Sequence, residues 1–439
     1  MTEVAAPVQG GGLRASLRRA LGFVVDKIRA TEVDLRQFGM VLALIVIWIW
    51  FWSQKPDIIS PVNFLTFSVQ AAGTAILATG MVLVIVSRNI DLSVGSVVGF
   101  IGMFYAWIMA DIFPTTIGVN HPLAWVIALA LGVLLGIIIG GFQGFLIAYL
   151  EIPSFVVTLG GLFLFRGLIW QLSGGTTIAP DDPTFVLIGG GPEGSLGGTL
   201  SWVFGIVISV AAVYLLVSAR RQRHRFGFPL RPMWAEVLIG AIAIGVVLGG
   251  VYVSNSYHWP AGLATQYAAK HGITEPAGGL QIEAGIPFPL VILIGVTIVM
   301  TFLATRRRFG RDIYAFGGNP QAAELAGINT RWTVMKIFIL MGILCAISGA
   351  IASARLNGGT LDLGTGYELY VIAAAVIGGT LFAGGVGSIP GAILGAMVMQ
   401  SLQYGLSFLQ FNSPQINMVL AVVLVAVVGV DQWARRRAR

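Results

Sequence analysis

The chain alternates long apolar runs with short polar intervals. The runs have the length of membrane spans, since a helix needs about 20 mostly apolar residues to cross a bilayer. Twelve qualify, near 36–53, 62–87, 94–112, 122–147, 155–172, 200–218, 234–253, 288–305, 332–354, 368–383, 390–409 and 415–431. The pattern predicts an all-α fold, a polytopic helical membrane bundle of about 12 transmembrane helices over 38–431. One polar interval is too long for a turn: residues 306–331, RRRFGRDIYAFGGNPQAAELAGINTR, form an arginine-rich island between two spans.

Composition agrees with a bilayer setting. Of the 439 residues 56% are apolar and 10% charged, whereas soluble domains carry roughly 25% charged residues. With the N-terminus in the cytoplasm and the spans alternating, 22 of the 26 lysines and arginines fall on the cytoplasmic side. The exceptions are Lys55, Arg166, Lys270 and Arg355. The positive-inside rule therefore places both termini in the cytoplasm, with a basic leader over 1–37 and a basic tail over 432–439. No small-residue cleavage site follows the first apolar run, so the leader does not read as a secretory signal. The net charge of +7 is this same bias and does not point to nucleic acid. Cys345 has no second cysteine to pair with, and the four histidines show no metal-ligand spacing, so no metal site is expected.

Within the spans, Gly132, Gly136, Gly140 and Gly144 recur every fourth residue, and Gly391 and Gly395 repeat the spacing. Such stripes let helices pack closely. Between the second and third runs lies SRNIDLSVGS, residues 87–96. One reading is a plain cytoplasmic turn in which Asp91 caps the next helix. The other is a break inside the membrane, tolerated only where it is buried in protein or lines a wet cavity. Glu368 opens the tenth run, where an unpaired carboxylate is costly in lipid. SVGS at 93–96 and GVGS at 385–388 each precede a small-residue helix, a faint sign of two related halves. In the island, Asn319 and Pro320 form a helix start, QAAELAG a short helix, and Gly327 its stop. It is either a docking helix or an interhelical loop.

No catalytic constellation is present. None of the four lysines lies in a Walker A loop, no GxSxG elbow occurs, and no dense cluster of buried acids is found. Energy for transport would have to enter from another subunit.

FGRDIYAFGGNPQAAELAGI (309–328) resembles the cytoplasmic coupling loop of the monosaccharide ABC importer permeases, the ribose/xylose/arabinose/galactose group. GMVLVIVSRNIDLSVGS (80–96), IPSFVVTLGGLFLFRGL (152–168) and GYELYVIAAAVIGGTLFAGGVGSIPGAILGA (366–396) resemble three further signatures of that family. Asn89 and Tyr370 depart from its usual pattern, so Tyr370 is given no role. Two more spans and a long outer loop within 173–289 make the chain most like the xylose-type branch. The resemblance implies a permease subunit in the bacterial cytoplasmic (inner) membrane, not an enzyme. It holds no cofactor; ATP and Mg belong to a partner ATPase. Its expected partners are a second permease copy in a homodimer, ABC ATPase subunits, an extracytoplasmic sugar-binding protein and the lipid bilayer. Arg311, Gly317, Gly318, Asn319, Ala322, Ala323, Glu324 and Gly327 are then expected to form the ATPase contact. Asn63, Gln70, Asp91, Ser93, Thr158 and Glu368 are expected to line or gate the path, although each could instead satisfy backbone groups inside the bundle. Xylose or a related sugar is the expected cargo. The alternatives are a permease for branched-chain amino acids or nucleosides and an ion-coupled secondary transporter.

Overall fold

The computed structural model describes residues 35–274 and 279–438, so the predicted leader lies almost wholly outside the described residues. Among the described residues a helix falls on each of the twelve predicted runs, and shorter helices, among them α8, α10 and α11, lie between them. The first seven are α1 Leu35–Gln54, α2 Pro61–Val86, α3 Val94–Trp107, α4 Ala124–Ala148, α5 Ser154–Ser173, α6 Gly198–Arg225 and α7 Met233–Asn255. They are followed by α8 Ala261–His271, α9 Phe288–Arg306, α10 Arg308–Gly318, α11 Pro320–Leu325 and α12 Thr330–Leu356. The last three are α13 Tyr367–Ile377, α14 Ile389–Phe408 and α15 Ser413–Ala438, the last of which takes in most of the predicted tail. A π-type turn, Ile108–Ile112, carries α3 on to Phe113–Thr116. Among the described residues nine helices are long and apolar enough to cross a membrane.

The predicted span 368–383 takes a different form. Its helix, α13, has only 11 residues, about 16 Å at 1.5 Å per residue, half of a hydrocarbon core of about 30 Å. Composition cannot separate a crossing helix from a half-helix fed by an apolar loop. Here irregular backbone, 357–366, runs inward from the outer end of α12 and joins α13 in a single crossing.

The chain divides into two compact units. The larger holds 40–203 and 251–439. At its centre stand α2 and α12, with 94% and 78% of their spanning windows buried, against 28% for α4 and 22% for α5. The glycine stripe of α4 is what lets it lie against α12. A Cβ at Gly136 would strike the carbonyl oxygen of Gly342, and one at Gly140 that of Phe338. Gly391 and Gly395 bring α14 equally close to Gly378 and Ala374. Both stripes are packing devices. Outward faces such as Leu134, Ile138 and Phe142 on α4 remain exposed, as lipid contact requires.

The smaller unit comprises 1–39 and 204–250. Its described core is the pair α6 and α7, joined at their cytoplasmic ends by Arg220, whose Nη1 lies 2.8 Å from Glu236 Oε2 and donates to the Arg231 carbonyl at 3.1 Å. The flanking parts of the predicted 173–289 segment belong to the larger unit. There Ser195 bridges Pro287, and Ile178 bridges Gly359.

Candidate coupling surface and mid-membrane joint

The island folds as a helical platform. Ile313 and Gly317 anchor α10, and a Cβ at Gly317 would strike the Val86 carbonyl oxygen at the end of α2. The Tyr314 hydroxyl donates to the Gly387 carbonyl at 2.9 Å. Arg88 completes the attachment, donating from Nε to the Gly317 carbonyl at 2.7 Å and from Nη2 to the Gly318 carbonyl at 2.9 Å. The next helix begins as its sequence dictates: Asn319 Oδ1 accepts from the Ala322 N–H at 3.1 Å, with Pro320 at the first helical position. Gly327, at φ +79°, ends it, and the Ile328 N–H returns to the Ala323 carbonyl at 3.1 Å.

Of the residues expected at the ATPase contact, Arg311, Gly318, Asn319, Ala322, Glu324 and Gly327 are exposed, while Gly317 and Ala323 are buried. These two shape the platform from beneath and offer no side-chain surface. Glu324 is turned back, its Oε1 accepting from the Thr330 hydroxyl at 3.1 Å. Leu325, not singled out from the sequence, is 91% exposed at the tip of α11. A large apolar side chain ending an alanine-rich turn is a signal the sequence does contain.

The small polar side chains of the break after α2 are buried. Ser87, Asp91 and Ser93 are each at most 3% exposed. Asp91 Oδ1 accepts from the Ser93 N–H at 2.9 Å and from its hydroxyl at 2.6 Å, a buried turn just before α3, whose N-cap Ser93 makes no side-chain cap bond. Gln143 of α4 donates to the Ser93 hydroxyl at 2.9 Å. Thr158 of α5 donates to the Ser154 carbonyl at 2.8 Å and the Ile90 carbonyl at 3.3 Å. Asp91, Ser93 and Thr158 thus meet in one joint, and Gln143, a glutamine inside an apolar run, is the member the sequence reading missed. The joint lifts the start of α3 into the bundle. The Val94 carbonyl lies 3.9 Å from the Cys345 sulfur, level with the middle of α12.

The segment 357–366 arrives at the same place from the outer side. Cβ atoms at Gly95 and Gly99 would strike the carbonyl oxygens of Gly364 and Leu363, and one at Gly95 would also meet Glu368 Oε2. The N-terminal turns of α3 and α13 therefore abut, with Glu368 at the crossing. Asn63 and Gln70 lie elsewhere, between α2 and α14. The Tyr404 hydroxyl donates to Asn63 Oδ1 at 3.1 Å, and Gln400 Nε2 to Gln70 Oε1 at 3.4 Å. Tyr370 bonds Asn417 Oδ1 at 3.0 Å.

On the outer face a cleft of about 1170 Å³ is lined by Asp111, Asp181, Asp182, Glu193 and Asn357, among others. Asp181 is 4% exposed. Its Oδ2 accepts from the Ser353 hydroxyl at 2.8 Å, and its Oδ1 has no hydrogen-bond partner among the described residues. Burial pushes its pKa from 3.8 to about 6.

A half-helix, α13, that meets the start of α3 at mid-depth, irregular backbone leading into it and a helical platform on the arginine-rich side define a polytopic membrane transport protein. Sequence comparison places it more narrowly. The chain belongs to the family described as branched-chain amino acid transport system / permease component, which matches residues 63–217 and 184–428. The chain is 35% identical over 408 residues to the xylose transport system permease protein of Escherichia coli (strain K12), covering 93% of this chain and 94% of that protein. Its counterpart from Haemophilus influenzae is also 35% identical, over 92% of this chain and 98% of that protein. The ribose import permease protein of E. coli (strain K12) is 28% identical, over 91% of this chain and 95% of that protein. No solved structure matches.

Proposed function

We propose that the chain is the membrane subunit of an ATP-driven importer that carries a monosaccharide, xylose first among the candidates, into the cytoplasm. The observation that carries this reading is the end-to-end likeness to xylose permeases, across 93% of the chain. The family description names branched-chain amino acids, but the similar permeases reported above carry sugar names. Two copies form the pore, two ATPase subunits dock on α10 and α11, and an extracytoplasmic binding protein delivers the sugar. ATP binding and hydrolysis on the partner move the platform. Arg88, Tyr314 and Gly317 transmit that movement to the end of α2 and to the 378–388 loop. Exposed Arg311, Asn319, Ala322 and Leu325 are the docking surface, with Leu325 as its apolar anchor. Asp91, Ser93 and Thr158 hold the joint that the movement bends, and Glu368 stands in the path.

The test is uptake of labelled xylose by vesicles holding the permease, its ATPase and its binding protein. Uptake should need ATP inside and binding protein outside. Uptake driven by a proton gradient without the ATPase would overturn the reading in favour of ion coupling. Import of leucine but not of any sugar would assign the other branch of the family.

A further inference from the structure

We propose that Asp362, Thr365 and Arg166, together with Glu368, form the wall over which the sugar passes at the meeting point of the two inward-turned segments. The inference rests on the importer reading for its ligand, a neutral polyhydroxylated molecule, but not for its geometry.

Gly102 and Gly349 lie against each other, and the Leu363 side chain packs on Gly102. Gly349 is seven residues before the end of α12 at Leu356, about 10 Å below that end at 1.5 Å per residue. The segment 360–366 therefore lies well inside the membrane. It is built of successive turns: the Leu363 N–H bonds the Thr360 carbonyl at 3.2 Å, and the Thr365 N–H bonds the Asp362 carbonyl at 3.0 Å. Asp362 and Thr365 lie on the exposed side of these turns, and Glu368 opens α13 with its Oε2 buried beside Gly95.

Leu363 and Gly364 are buried against α3, but Asp362 and Thr365 are exposed. Lipid does not accept an exposed carboxylate or an irregular backbone there. The genuinely lipid-like surface of α5, by contrast, presents Phe163, Leu164 and Trp170. A surface that offers a carboxylate and a hydroxyl to its surroundings faces water.

Arg166 supplies the donor. It is the one arginine inside a predicted span that the cytoplasmic bias leaves unexplained. Its Nη1 donates to the carbonyls of Leu363 at 3.1 Å and Leu361 at 3.4 Å, satisfying two groups that no helix can. Glu368 and Asp362 are the acids within its electrostatic reach. The guanidinium thus holds the segment in place and leaves further N–H groups beside two carboxylates. This donor and acceptor set fits the hydroxyls of a sugar and requires no net charge on it.

The experiment uses the full-length permease in which the native thiol is removed as Cys345→Ala. Thr365→Cys is exposed to a charged, membrane-impermeant methanethiosulfonate reagent, with Phe163→Cys as the lipid-facing control. Thr365→Cys should react at least tenfold faster. Asp362→Asn, assembled with the ATPase and binding protein, should lower labelled xylose uptake at least tenfold while ATPase co-purification is retained. Equal labelling of the two cysteines overturns the proposal. So does labelling blocked by a disulfide between two copies through Thr365→Cys, because the surface would then be an interface. Wild-type uptake by Asp362→Asn also overturns it. Labelling needs no sugar, so a wild-type complex that imports none would sink the importer reading alone.

Discussion

Removing the Arg88 guanidinium should release the cytoplasmic platform from the bundle. Two hydrogen bonds are at stake, at 2.7 Å to the Gly317 carbonyl and 2.9 Å to the Gly318 carbonyl. A bond from a charged group contributes about 1.5–3 kcal/mol. The second is exposed, where water competes, and belongs at the low end. Together they amount to about 3 kcal/mol, roughly 100-fold in the equilibrium between docked and undocked platform at 1.4 kcal/mol per tenfold. The substitution must respect the backbone, since Arg88 sits at φ +62°, a region that asparagine tolerates far better than most side chains. Arg88→Asn therefore removes both bonds without adding strain, whereas Arg88→Lys keeps the charge but not the fork. Amide exchange over 313–323 reads the result. Exchange should rise about 100-fold in Arg88→Asn and by less in Arg88→Lys. Tyr314, bonded to Gly387, remains as a second tether, so Tyr314→Phe should add to the effect. Wild-type protection in Arg88→Asn would refute the clasp.

Four further outcomes follow from particular contacts. Gly140→Ala should lower the melting temperature in detergent, with a cost of about 1–3 kcal/mol for overpacking. Gly141→Ala, whose added carbon meets nothing nearer than Ile339 Cγ1 at 3.7 Å, should not; equal melting of the two would contradict the packing of α4 on α12. Asn319→Ala should cost about 1 kcal/mol of local stability as a lost cap, seen as faster exchange at Ala322 and Ala323 with the rest of the chain unchanged. Leu325→Asp should abolish co-purification of the ATPase while the permease still inserts, and undiminished co-purification would remove Leu325 from the docking surface. The Asp181 carboxyl is held near pKa 6 from 3.8 by burial, so the folded protein binds its proton more tightly than the unfolded chain. Its contribution is full below about pH 4 and is lost as pH rises to about 6, roughly 3 kcal/mol in all. Asp181→Asn should flatten that part of the melting profile, and an unchanged slope would show that the carboxyl is not the group titrating.

What the sequence discloses here depends on whether a signal is local. The cap at Asn319, the stop at Gly327 and the stripe Gly132–Gly136–Gly140–Gly144 are short-range patterns with one physical meaning each, and all three stand where the spacing puts them. Burial is not local. Ala323 and Ala322 are adjacent and chemically identical, yet one is buried and the other exposed, because packing on α10 and α12 decides which side of a two-turn helix is covered. The half-helix α13 is a further case. Its residues and those after it are apolar enough to pass for a span, and only the glycines at 95 and 99, more than 260 positions earlier, admit the loop that replaces half of it. Arg166 shows how such a region can still announce itself. An arginine in mid-span breaks the charge bias because it satisfies carbonyls that a helix would have satisfied internally. At this crossing Arg166 marks the same irregular backbone on which Asp362 and Thr365 are exposed.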